Sequence, residues 1–285
     1  MDVFLEGDGG LYHKAGKVDF GEGGSGGNVA FMAERLGLKV GLAAPAANDS
    51  AGSLLESVVR QRHPDLRLFL LKDSKQMTCI IVNLVDCRGA RRAYFRKNEG
   101  GRKLRNLEAI ASDFRAVHMS GYVMEMFGIR ELGSLARHLR ASGILVSLDL
   151  FPRIKLVRET GTSLDPLLGS VDLLFGNLQE FKDLTGLSRT SDILPAVTRD
   201  GMKVVIKRGS RGAILAAPGR TIPSHSLKVT PVSLKGAGDS FIAGFLAAHL
   251  GGLDERQALT VANLVASLHI SGSDDRITAE LIGRH

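Results

Sequence analysis

Cysteine is scarce in this chain: Cys79 and Cys87 are the only two among 285 residues. Two thiols make neither a disulfide framework nor a zinc site. Both fall where the sequence alternates like a strand hairpin, so they read as buried or edge thiols in a reducing compartment. No run of about 18 apolar residues occurs, and the N-terminus lacks the charged, apolar and small-residue layout of a secretory signal. The expected location is the cytoplasm, with no membrane partner. Eight histidines include no HExxH pair, which argues against a metal site built from protein ligands alone. The pattern GxxxxGKS/T is also missing, and with it the P-loop class of nucleotide site.

What is present is an ordinary globular composition, 44% apolar, with a formal net charge of +7. A chain of this length and apolar content fills one large α/β domain or two small ones. The positive charge fits nucleic acid, an anionic small substrate or merely a basic surface. Its densest stretch, RGARRAYFRKNEGGRKLR at 88–105, has the composition of a nucleic-acid patch. Yet Ala93 to Arg96 alternates apolar and basic like a half-exposed strand, and no helix-turn-helix, zinc-finger or RNA-binding signature accompanies it. No nucleic-acid partner is expected.

From Lys39 onward, short apolar runs alternate with amphipathic stretches: KVGLAAPA then 51–62, AVHMSG then 126–141, ILVSLD, VDLLFGN then 178–184, and KVVIKRG. That rhythm predicts βαβ units around a mostly parallel, twisted sheet flanked by helices. Between 66 and 97 it gives way to consecutive strands, LRLFLL, MTCIIVNLV and RAYFR, which predict an antiparallel sheet edge or a small separate flap. The last 50 residues are helical, with apolar residues at helical spacing over 237–250 and 254–270. Ligands of open α/β sheets bind outside the carboxyl ends of the strands, so the chemistry is sought there.

Glycine-rich GEGGSG at 21–26 fits GxGxxG literally. It follows a polar segment, however, and no acidic residue ends the next strand about 20 residues on, so a dinucleotide site is not expected. SLKGAGDSFIAGF at 233–245 says more. Phe241, Phe245 and Leu246 fall on or near one face of a helix, and Gly244 lets a neighbour approach closely, which puts Gly236, Ala237, Gly238 and Asp239 at the N-terminus. First-turn N–H groups lack intrahelical partners and carry partial positive charge, and glycine leaves them open to an anion. Asp239 beside such a hole either caps the helix or accepts the proton of a hydroxyl attacking a phosphoryl group held there.

Three further segments end predicted strands. In FGNLQEF at 175–181, Asn177 and Glu180 form either a capping box or an amide–carboxylate pair for the waters of a magnesium ion. VVIKRGSRGA at 204–213 places Lys207, Gly209 and Gly212 on a tight turn whose plain alternative is a β-hairpin. Asp149 closes ILVSLD, to accept bonds from a polyol or to start a loop.

Taken in order from GGSGGNVA at 23–30 to SGS at 271–273, these segments resemble the ribokinase-like, or PfkB, family of carbohydrate kinases. The resemblance implies a ribokinase-like α/β fold with a small β-sheet lid. The expectation is one domain over 1–285, with lid segments at about 1–22 and 66–97, which leaves a homodimer through the lid open. It implies an ATP-dependent kinase acting on a hydroxyl of a small sugar or sugar acid. In that family's terms GAGD supplies the anion hole, Gly236, Ala237 and Gly238, and the catalytic base Asp239. GGSGGNVA supplies the acceptor contacts Gly24 and Asn28. DLFPR is similar to a D-x-N-x-R stretch, keeping Asp149 and Arg153 as acceptor-side residues but with Phe151 for the asparagine. NLQE matches a motif that positions Mg²⁺ and phosphate through Asn177 and Glu180. KRGSRGA resembles the nucleotide-side turn with Lys207, Gly209 and Gly212, and Asn263 falls where an adenine-flanking helix lies.

Two departures stand out. The family's opening buried strand, G-x-x-x-x-D, has no counterpart in MDVFLEGDGGLYHKAGKVDF, which is broken by Gly7, Gly9 and Gly10 and suits a lid hairpin. The first core strand is therefore expected to be missing or abbreviated, and Asp8 is no replacement for its ligand. SLK at 233–235 also lacks the aspartate that helps to hold a monovalent cation. Lys235 is the candidate replacement, and turnover is then indifferent to potassium. The alternatives are a nucleoside kinase, against which the absence of tryptophan weighs, and a non-catalytic sugar- or nucleotide-binding protein on a kinase fold.

Overall fold

The structure, a computed structural model, describes residues 2–6, 14–19, 21–72, 77–85, 91–95, 107–199 and 201–283. Asp8, Cys87 and the basic run beyond Phe95 lie outside the described residues. The chain divides into two compact units, residues 1–27 with 41–99 and residues 28–40 with 100–285. No helix among the described residues is long and apolar enough to cross a membrane.

The first unit opens with strands β1 (Asp2–Glu6) and β2 (Lys14–Asp19), an antiparallel hairpin. Helix α1 (Ser25–Arg35) carries the boundary between the units in its first turn. Strand β3 (Gly41–Ala46), helix α2 (Ser50–Arg62) and strand β4 (Arg67–Lys72) form a βαβ unit in which the strands pair in parallel. Strands β5 (Ile81–Val85) and β6 (Arg91–Phe95) pair antiparallel and join the first hairpin in the order β2-β1-β5-β6. The expected meander over 66–97 is thus split. A parallel pair needs a crossover of a dozen residues or more, and the 13-residue α2 draws β4 to β3 instead. That helix starts at Asp49, whose carboxylate accepts the N–H of Gly52 at 2.7 Å and of Thr78 at 2.9 Å.

The second unit runs through α3 (Leu107–Ala111), β7 (Ala116–Met119), α4 (Val123–Met126), α5 (Ile129–Ala141), β8 (Leu145–Asp149), α6 (Ile154–Glu159) and α7 (Asp165–Leu168). It continues through β9 (Leu173–Asn177), α8 (Leu178–Thr185), α9 (Thr190–Val197), β10 (Lys203–Lys207), β11 (Ala213–Ala217) and β12 (Arg220–Ser224). Helices α10 (Ala237–Leu250), α11 (Glu255–Ile270) and α12 (Glu280–Gly283) complete it. Its six strands lie in the order β12-β11-β10-β9-β8-β7. β7 to β10 are parallel because a helix separates each from the next. Only residues 208–212 join β10 to β11, too short a link for a crossover, so β11 and β12 turn antiparallel.

Leu173, Phe175, Val205 and Leu215 of the sheet share one core with Val29 and Met32 of α1, Ile242 and Phe245 of α10, and Leu259 and Val265 of α11. Helix α10 is buried on every side from Ser240 to Ala248, where an apolar stripe was expected. It is hydrophobic all round, as a helix enclosed by neighbours must be. Gly244 is where α11 comes close: a Cβ there would sit 3.0 Å from Ala262 Cα and 3.1 Å from Val265 Cβ. The carboxyl ends of β8, β9 and β10 deliver Asp149, Asn177 and Lys207, and register sets Lys207 opposite Asn177.

Candidate active site

At the head of α10, Gly236 takes the left-handed conformation, φ 75°, as its N-cap. A Cβ at that position would be strained and would lie 2.9 Å from His269 Nε2, so the turn is open to glycine alone. The helix has no capping side chain from its N-cap residue, a glycine. Its first internal bond runs from Ser240 N–H to the Gly236 carbonyl at 2.8 Å, while the Ala237 N–H reaches the Leu234 carbonyl only at 3.4 Å. The first turn therefore presents main-chain N–H groups and the positive end of the helix dipole.

Asp239 stands in this turn, half-buried, and its Oδ2 accepts a 2.7 Å hydrogen bond from Asn28 Nδ2. The amide that the sequence assigned to the acceptor thus touches the carboxylate itself. Charge-assisted bonds of this kind are short and strong, and they fix a side chain's direction.

Behind Asp239, Lys207 Nζ bonds to Asp149 Oδ1 at 2.9 Å, and the two side chains are only 13% and 9% exposed. Burial pushes the Asp149 carboxyl up to about 6; the Lys207 ammonium opposes the shift, and the carboxylates of Glu180 and Asp239 add to it. The same ammonium approaches α10, for a Cβ on Gly238 would lie 3.3 Å from Lys207 Nζ.

Asn177 and Glu180 realise the capping box at the start of α8. Asn177 Oδ1 accepts the Glu180 N–H at 2.9 Å and Glu180 Oε2 accepts the Asn177 N–H at 2.7 Å. Glu180 is nonetheless a buried carboxylate, 7% exposed, within electrostatic reach of Asp149. The described residues hold no cluster of three or more His, Cys, Asp or Glu side chains able to bind a metal ion.

Other expected residues are placed differently. Arg153 makes a two-pronged pair with Glu125, its Nε 2.8 Å from Oε1 and its NH2 bonded to Oε2. Its fork, expected to meet the acceptor, is already engaged, because α4 presents a carboxylate to it. Asn263 is 5% exposed, and its amide donates to Ser224 Oγ and the Leu259 carbonyl, both at 2.9 Å. It ties α11 to β12 from within. The turn with Gly209 and Gly212 is a β-hairpin; both glycines have positive φ, and a Cβ on Gly212 would fall 2.1 Å from the Ser224 carbonyl oxygen. Gly24, φ 85°, precedes α1 in the first unit and is exposed. Lys235 is exposed, and its carbonyl lies 3.0 Å from His269 Nε2, while His269 Nδ1 lies 2.9 Å from Asp274 Oδ1.

Sequence reasoning missed Tyr122, Glu125 and His269. Tyr122 follows β7, packs on Phe151 with ring centroids 5.4 Å apart, and has the Arg153 guanidinium 5.6 Å from its ring centre. Burial raises its phenol pKa first; Arg153 lowers it, and Glu125, Asp239 and Glu180 raise it further. A lone tyrosine behind a predicted parallel strand was the one available signal. Nothing local marks Glu125 or His269.

Residues 2–280 match the family model described as pfkB family carbohydrate kinase. A nucleoside kinase of Methanothermobacter thermautotrophicus is 30% identical over 254 residues, 86% of this chain and 77% of that protein. A 2-dehydro-3-deoxygluconokinase of Bacillus subtilis is 24% identical over 288 residues, covering 96% of this chain and 88% of the relative. In three dimensions the chain is similar to Arabidopsis thaliana ribokinase complexed with ribose and ATP, with a TM-score of 0.79 at 20% identity over 97% of this chain and 95% of that one, a likeness of fold.

Proposed function

This chain belongs to the pfkB family of carbohydrate kinases, and on that premise we propose that it moves the γ-phosphoryl group of ATP to a hydroxyl of a small sugar acid or sugar through Asp239. One observation carries the assignment: a half-exposed aspartate, steered by Asn28, stands in the first turn of a helix that glycine leaves uncapped. Gly236, Ala237 and Gly238 supply the main-chain donors for the phosphoryl oxygens. Asp239 accepts the proton of the attacking hydroxyl. Asn28 acts on that base, and Gly24 serves the acceptor. Gly209 and Gly212 shape the nucleotide-side turn, with Asn263 bracing it from behind.

Magnesium fits this donor set through water. Asn177 and Glu180 each spend one oxygen on the capping box, which leaves the other Glu180 carboxylate oxygen to hold a hydrated ion. Bound with the nucleotide, such an ion would neutralise phosphate charge.

Comparison and geometry both support an acceptor class. A guanidinium at Arg153 suits a carboxylate-bearing sugar once Glu125 gives way, in keeping with the 2-dehydro-3-deoxygluconokinase relative. A nucleoside acceptor is the second reading. It is favoured by the Methanothermobacter relative and by the partly exposed ring of Tyr122, on which a base could stack. The test is ATP turnover, coupled to ADP release, with 2-keto-3-deoxygluconate, ribose, fructose and adenosine in parallel. Turnover with the sugar acid or a sugar is expected. Turnover with adenosine alone moves the assignment to a nucleoside kinase, and ligand binding without turnover makes the protein non-catalytic.

A further inference from the structure

Lys207 is a cation in an unfavourable place. The N-terminal end of a helix carries partial positive charge, and a positive side chain there is disfavoured. Yet the Lys207 ammonium lies beside the first turn of α10, since a Cβ on Gly238 would be 3.3 Å from Nζ and 3.8 Å from Cε. It is anchored from the far side by Asp149 at 2.9 Å, and the two side chains are nearly enclosed. An ammonium has three N–H bonds to give. Asp149 takes one, and no other hydrogen bond from Lys207 Nζ is made among the described residues. Two positive features, the helix end and the ammonium, therefore meet with donors to spare, and an anion at the first turn would complete both.

Resting on the phosphoryl-transfer reading above, the geometry points to Lys207 as a catalytic residue that contacts the migrating phosphoryl group, with Asp149 as the positioning residue that aims it. This moves both side chains from the roles their motifs imply: Lys207 from the nucleotide-side turn, Asp149 from the acceptor. In the step itself the acceptor oxygen forms a bond to the γ-phosphorus of ATP. The bond from that phosphorus to the β–γ bridging oxygen breaks, its electron pair leaving with ADP, and the hydroxyl proton passes to Asp239. Lys207 stays protonated throughout and offers its remaining N–H groups to the equatorial oxygens, where charge is spread in the transition state. Burial raises the Asp149 pKa to about 6 and outweighs the opposing Lys207 ammonium, as expected of a desolvated carboxylate with a single counter-ion.

Three variants test this: Lys207→Met, Asp149→Asn and the double substitution, with kcat and the KM of each substrate measured separately. For Lys207→Met a fall in kcat of about 10²-fold or more is expected, the loss typical of one removed transition-state donor. A smaller fall, or a change confined to the KM for ATP, overturns the role. Asp149→Asn should lower kcat while leaving the KM of the acceptor unchanged, and the double variant should be no slower than Lys207→Met alone. A raised acceptor KM with kcat preserved, or additive losses in the double variant, returns Asp149 to the acceptor. If Lys207→Met fails to fold around its unpaired carboxylate, the double variant, which removes both charges, carries the same kcat test, with calorimetric ATP binding as the fold control. Wild-type protein inactive with every acceptor would sink the kinase reading itself, whereas an active wild type beside an equally active Lys207→Met would sink only this inference.

Discussion

Asp239 gains its direction from one amide, and its chemistry depends on where that amide holds it. Replacing it with asparagine preserves the shape and the contact with Asn28 but removes the proton acceptor. Turnover of Asp239→Asn should therefore fall by about 10²- to 10⁴-fold, with ATP affinity by calorimetry close to that of wild type; undiminished turnover would remove Asp239 from the mechanism. His118 gives a prediction about pH. Its ring lies on β7 with Nε2 buried; Nδ1 is 2.9 Å from Ser147 Oγ, and Nε2 has no hydrogen-bond partner among the described residues. Burial, reinforced by Lys207, lowers its pKa to about 3, whereas an unfolded histidine titrates near 6.5. Below that higher value the unfolded chain takes up a proton that the fold refuses, so stability present above about pH 6.5 is lost as pH falls towards 3. His118→Gln, which cannot titrate, should lose less stability than wild type between pH 7 and pH 4 in denaturant titrations. Parallel pH curves for the two proteins would contradict this.

At the scale of elements, α10 joins the core to the site: buried from Ser240 to Ala248, uncapped at Gly236. Its position depends on Gly244, where the backbone of α11 leaves no space for a larger side chain. Gly244→Val should destabilise the protein by about 1–3 kcal/mol through overpacking, seen as a lower Tm. It should also lower kcat in the molecules that remain folded, because the first turn moves with the helix. A variant with lowered Tm and wild-type kcat would show that the site is insulated from this packing. The strands act in the same way. β9 and β10 end level, with Lys207 opposite Asn177, while Asp149, the last residue of β8, pairs with Phe175.

For the whole molecule, the division into two units predicts uneven stability. Phe175, Val205, Phe245 and Leu259 of the second unit are fully buried in one continuous cluster. In the first unit the described strands β3 and β4 are mostly half-exposed. Local opening free energies follow the density of buried contacts. Amide hydrogen exchange should accordingly be slowest in β8 to β10, α10 and α11, and measurably faster in β3 and β4; uniform protection across both units would refute this. The net charge of +7 suits the proposed anionic substrate, a nucleoside triphosphate.

Legibility followed distance along the chain. The helices over 237–250 and 254–270, the parallel run of strands and the hairpin at 208–212 depend on apolar spacing, glycine and caps within a few residues of one another, and these the amino-acid order alone determined. So was the glycine-lined helix start at Asp239, because a turn that demands φ near 75° writes glycine at that position. The partners were decided by the tertiary structure only. Asn28 and Asp239 are 211 residues apart, Lys207 and Asp149 58, and Arg153 and Glu125 28. No local preference encodes which charge meets which. That choice belongs to sheet order and helix crossings, which bring distant side chains together in a space too dry to leave a charge without its counterpart.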